Sequence, residues 1–162
     1  MVETLVGFFE GFPKELALII ISAFPIVELR GGIIAAKLMG VPFALGFPIC
    51  IFGNLLPMPF VLLFLNKIFA FLRRFPFFDK FLNFLDEKAE KNKEKVERWK
   101  IWGLVLFVGI PLPGTGAWTG ALVANALNMP LKKSLPAIFL GVVLAGVIMS
   151  IISYFIPGLF GF

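Results

Sequence analysis

Four stretches of this chain contain no Asp, Glu, Lys or Arg: residues 16–27, 38–66, 101–131 and 134–162. A hydrocarbon core of about 30 Å requires roughly 20 consecutive apolar residues in a helix, and the last three stretches are that long. Only 15% of the 162 residues are charged and the mean hydropathy is +0.96, far from the composition of a soluble globular domain. The reading is an all-α integral membrane protein forming a single membrane domain over residues 1–162.

With no His and one Cys, Cys50, the chain lacks the residues for a zinc site, a disulfide, a haem or iron–sulfur ligand set, or a nucleophile activated by His. No cofactor or metal and no enzymatic activity are expected. The net charge of +5 does not mark a nucleic-acid partner, because ten of the fifteen basic residues lie between Lys67 and Lys100 together with six of the ten acids. That segment reads as a solvated, membrane-flanking stretch. Its excess of Lys and Arg puts residues 67–100 on the cytoplasmic side, and the expected location is a prokaryotic inner membrane. The N-terminus carries acids where a cleavable signal would be basic, so no processing is expected.

Proline and glycine decide which apolar runs are simple helices. Residues 43–66 contain Pro48, Pro57 and Pro59 and read as a kinked span. Residues 131–156 are smoother, and Gly141, Ala145 and Gly146 allow another helix to approach closely. The other two runs break in their middles, at Pro25–Gly32 within PIVELRGG and at Pro111–Gly116, PLPGTG. Both read as re-entrant helical hairpins that turn at mid-membrane depth.

Shifting the chain by 88 residues superimposes Pro25 on Pro113, Gly32 on Gly120, Ala36 on Ala124, Pro42 on Pro130, Pro48 on Pro136 and Gly53 on Gly141, six identities in 29 positions without a gap. The alternative is chance matching of segments rich in Gly and Pro. If the repeat is real, each unit is a hairpin plus one spanning helix: repeat one is 13–66, repeat two 101–156, and 67–100 an amphipathic connector. A hairpin returns to its own side and a span crosses, so the second unit is inverted relative to the first, as in many secondary transporters. In the connector, Phe78, Phe81, Leu82, Leu85, Ala89, Val96 and Trp99 fall on one helical face.

Glu28 and Arg30 are the only ionisable residues between Glu15 and Lys37, and they fall at the first break. A charge at bilayer depth costs at least about 2.5–3.5 kcal/mol, so such residues line a pathway or pair with one another. Burial and a neighbouring arginine act on a carboxyl in opposite senses, which suits Glu28 to carry a proton. Arg30, beside the backbone N–H groups of Gly31 and Gly32, could receive a phosphate or carboxylate. The competing reading is a fixed ion pair that closes the hairpin tip. At the second tip, Pro113, Gly114, Thr115, Gly116, Trp118 and Thr119 offer hydroxyls, an aromatic face and backbone groups without charge, or else form only a tight turn. Asn54 reads equally as glue between helices or as a ligand.

The pair PIVELRGGIIAA and PLPGTGAWTGALVA resembles the signature of the small multidrug export protein family, a small relative of the DedA/VTT membrane proteins. The resemblance implies two inward-facing re-entrant hairpins, each followed by a span, with Glu28 at the acidic position of the first. The larger relatives are implicated in moving lipids, including polyprenyl phosphates, in a manner dependent on proton motive force. They place arginines in the second hairpin where this chain has Thr115, Trp118 and Thr119. The expected function is a proton-coupled, homodimeric transporter of an amphipathic or lipid-like, anionic substrate among membrane lipids. An uncoupled lipid scramblase and a non-transporting scaffold remain the alternatives.

Overall fold

The computed structural model describes residues 4, 6, 7, 9, 11–72, 93–112 and 114–155. Helix α1 (Lys14–Ala23) is followed after Phe24–Val27 by α2 (Glu28–Leu38), then α3 (Phe43–Leu55) and α4 (Met58–Leu72). After residues 73–92, which lie outside the described set, come α5 (Lys93–Gly109), α6 (Ala117–Ala126) and α7 (Leu131–Ser150), which ends in a π-helical turn, Ile151–Phe155. No strand occurs among the described residues. Two runs are long and apolar enough to cross a membrane, Phe43–Leu65 and Leu131–Tyr154.

The first of these runs is interrupted at Leu56–Pro57, between α3 and α4, where proline stops the backbone ladder. The first break is shorter than Pro25–Gly32. Helix α2 already begins at Glu28, and the Gly31 N–H donates to the Val27 carbonyl at 3.0 Å. Gly31 and Gly32 both lie within the helix, and packing requires the small size of Gly32, since a Cβ there would collide with the Ser22 hydroxyl of α1. Helix α5 runs through residue 100 without interruption. Of the proposed connector face, Phe78, Phe81, Leu82, Leu85 and Ala89 lie outside the described residues, and Trp99 is exposed.

Positions 88 residues apart share backbone detail. Helices α2 and α6 both end in a left-handed residue, Gly40 (φ 66°) and Asn128 (φ 52°). The next amide closes the same Schellman loop, Val41 N–H to Ala36 O and Met129 N–H to Ala124 O, both at 2.9 Å. A proline then caps the following helix, Pro42 (ψ 147°) for α3 and Pro130 (ψ 147°) for α7. Each hairpin is also tied by a lysine of its first helix. Lys14 Nζ donates to Met39 O at 2.6 Å and Lys100 Nζ to Leu127 O at 2.9 Å, which puts a cation on each negative helix end. Helix α7 therefore starts beside the open end of the second hairpin, opposite its turn. It finishes beside the open end of the first, where the Tyr154 hydroxyl donates to Val41 O at 2.9 Å.

The long helices pack tightly on the first helix of each hairpin, α3 on α1 and α7 on α5. Glycine sets the approach: a Cβ on Gly53 would lie 2.7 Å from the Ile19 carbonyl oxygen, and one on Gly141 2.9 Å from that of Val105. Around these contacts Leu18, Ile21, Ile33, Met58, Leu104, Ile138 and Val142 form the core, while Phe52, Phe64, Trp102 and Leu106 face outward. Gly53→Ala is expected to destabilise the fold by about 1–3 kcal/mol, since backbone cannot yield as a side chain can. Gly103→Ala, whose Cβ would meet nothing within 4 Å, should stabilise by about 0.5–1 kcal/mol through helix propensity. Parallel thermal melts in detergent check both.

Candidate functional site

The two breaks meet, and each supplies what the other's helix ends lack. The last carbonyls of a helix have no partner within it. At the end of α1, Ser22 O accepts from Asn54 Nδ2 at 2.9 Å and Ala23 O from the Trp118 indole N–H at 3.2 Å. Beyond the end of α5, Arg30 donates to Leu112 O at 2.6 Å and Ile110 O at 3.3 Å, and its Nη2 to Thr115 Oγ1 at 2.6 Å. The Thr115 hydroxyl sits between the same two carbonyls, at 2.8 and 2.9 Å.

Glu28 serves the opposite pole. Its Oε1 accepts the backbone N–H of Trp118 at 3.2 Å, and the Ala117 amide also bonds the carboxyl. A carboxyl group thus lies on the positive N-terminus of α6 and a guanidinium on the negative end of α5, and when Glu28 is ionised both charges match the helix dipoles across one break. Glu28 is only 7% exposed. Its backbone is left-handed (φ 52°), a conformation that costs a residue other than glycine roughly 1–2 kcal/mol and that tertiary contacts must hold. Opposite it stands Gly116 (φ 140°), 88 positions away, where a Cβ would overlap the Glu28 carboxyl.

Of the residues singled out from sequence, Glu28, Arg30, Thr115, Gly116 and Trp118 come together. The bonds of Glu28 and Arg30 run to the second break, not to each other. Gly31 and Gly32 lie behind them in α2. Gly114 (φ 80°) makes the turn with open space around it, and Thr119 bonds back to Gly116 O at 3.3 Å. Pro113 lies outside the described residues. The acceptors at Ile110 and Leu112 are backbone atoms and left no trace in residue type. Asn54 is fully part of the site: with Glu28, Arg30, Gly116 and Val142 it lines a cavity of about 10 Å³ behind the carboxyl. Among the described residues no donor reaches Asn54 Oδ1. No cluster of three His, Cys, Asp or Glu able to hold a metal occurs among them either.

No curated protein and no solved structure matches the chain. A family model described as "Putative small multi-drug export protein" matches residues 28–148, about three quarters of the sequence. The matched region begins at Glu28 and takes in Arg30, the second break, the first long apolar helix and most of the second. A match of that extent runs from α2 through most of α7 and does not rest on one motif: the protein belongs to the small multi-drug export protein family, whose description is that of a membrane transporter.

Proposed function

We propose that the protein is a proton-coupled secondary transporter of an anionic, amphipathic or lipid-like substrate, built from two inverted units, 13–66 and 101–156, each a re-entrant hairpin followed by a span. The observation that carries this reading is the buried Glu28 carboxyl on the N-terminus of α6. As a carboxylate it holds that helix end by charge. Protonation removes the charge and weakens the hold. Arg30 acts on the other side of the same break, and an anion that drew its guanidinium away would release the carbonyls of Ile110 and Leu112. Proton and substrate thereby act on one movable element, which is what coupling requires.

The inverted arrangement draws support from α7. A helix long enough to span begins at the open end of one hairpin and finishes at that of the other, so the open ends face opposite sides while the breaks meet between them. The shared Schellman loops 88 residues apart support the repeat itself. The outward apolar faces of α1 and α5 suit a homodimer in which a second copy covers hairpin flanks. Under the same reading, residues 67–100 lie on the cytoplasmic side of a prokaryotic inner membrane, and the DedA/VTT proteins are distant relatives.

Glu28→Gln tests the proposal. The amide retains an oxygen for the Trp118 N–H and occupies the same volume, so the folded protein should survive. In liposomes with an internal pH dye, wild type should move protons when polyprenyl phosphate or another anionic amphiphile is added, and the variant should not. The network of Arg30 and Thr115 gives specific ground for one rival, a rigid scaffold in which the charges only tie helix ends. Folded wild-type protein silent towards every compound would favour that rival. Substrate movement that survives in Glu28→Gln without proton flux would favour an uncoupled scramblase.

A further inference from the structure

Phe60, Leu63, Phe64 and Lys67 recur on α4 at spacings of three, four and seven, so they form one stripe about 10 Å long, at a rise of 1.5 Å per residue. Phe60 is 73% exposed and Phe64 65% exposed. With Val61 and Trp118 the stripe lines a groove of about 510 Å³, within the roughly 300–1,000 Å³ typical of small-molecule sites. Its walls are apolar except at one end, where Lys67 supplies the single charge among the lining residues. The Trp118 indole N–H is held by Ala23 O, which fixes the ring as a wall of the groove, and the peptide N–H of the same residue holds Glu28.

We propose that this groove binds one anionic membrane lipid, its headgroup on the Lys67 ammonium and an acyl chain along Phe64, Leu63 and Phe60, in contact with the Trp118 ring. Charge selects the occupant. Any lipid can lay a chain on an apolar stripe, but a cationic amphiphile is repelled at Lys67 and a zwitterionic one gains less there. A ligand seated this way lies against Trp118, whose peptide N–H bonds the Glu28 carboxyl. As a loading site for transport it rests on the reading above; as a binding site it stands without it.

Trp118 is the built-in reporter. In a Trp99→Phe/Trp102→Phe background it is the only tryptophan. Detergent-solubilised protein is titrated with phosphatidylglycerol or phosphatidylcholine carrying brominated chains, and quenching of Trp118 is followed. The anionic lipid should quench at a mole fraction about fivefold lower, the effect of one lysine near an anionic headgroup. Lys67→Gln should erase that preference and leave chain-dependent quenching. Equal quenching by both lipids, or a preference that survives Lys67→Gln, overturns the site. So does silence with both lipids, which would mean that a second copy or another part of the chain covers the groove. Substrate-triggered flux without a headgroup preference at Trp118 would remove this site and keep the transport reading. A preference without flux would keep the site and remove the transport reading.

Discussion

Gly116→Ala is expected to destabilise the protein by about 2–4 kcal/mol and to abolish any activity that depends on Glu28. Two causes add. The backbone at φ 140°, ψ −171° lies in a region that only glycine enters readily, and the new Cβ would overlap the Glu28 carboxyl. To make room, that carboxyl must leave its bonds to the backbone amides at the start of α6. Gly114→Ala separates the causes: its φ of 80° is also left-handed, yet no atom lies within 4 Å of the added Cβ, so only backbone strain of about 1–2 kcal/mol is expected. Shortening the partner, Gly116→Ala with Glu28→Ala, should recover the collision but not the strain. Thermal midpoints of the four proteins in detergent form the cycle that checks this, and additivity of the two single losses would disprove the contact.

Much of this site is written in residue types that punctuate. Prolines and glycines at 25, 32, 111, 114 and 116 announced that two apolar runs could not be plain spans, and Glu28 and Arg30 stood out because charge is rare in such runs. The details resisted for physical reasons. Gly31 and Gly32 read as part of the first break, but they are helical, and tertiary packing outweighs glycine's weak helix propensity where the close approach of Ser22 and Cys50 requires that Gly32 have no Cβ. The bonds of Arg30 to the carbonyls of Ile110 and Leu112 were not legible, because such carbonyls exist in every residue and become distinctive only where a helix ends. The equivalence of Gly40 and Asn128 escaped a search for identities, since two different residues satisfy one left-handed cap. Lys67 and the stripe below it look like an ordinary end to a span. Only the packing of α6 on α4, which brings in Trp118, turns that face into a groove.

Arg30→Ala should destabilise by about 1–3 kcal/mol, because three acceptors lose a charged donor at once and the end of α5 keeps its negative pole without a counter-charge. The lower part of the range for hydrogen bonds of this kind applies, since the guanidinium is only half-buried and water can replace part of what it supplies. Arg30→Lys should fall between wild type and Arg30→Ala. An ammonium keeps the charge, but it is a compact donor on a flexible stem and cannot hold Leu112 O and Thr115 Oγ1 in the planar fork seen here. Thr115→Val removes the hydroxyl that shares those carbonyls and occupies nearly the same space. If Arg30 and Thr115 act as one clamp on the second break, the double variant Arg30→Ala/Thr115→Val should lose less than the sum of the single losses, by roughly 0.5–3 kcal/mol. Strict additivity in detergent melts would mean that the two side chains serve separate ends, and that moving the guanidinium towards an anion would leave the break where it is.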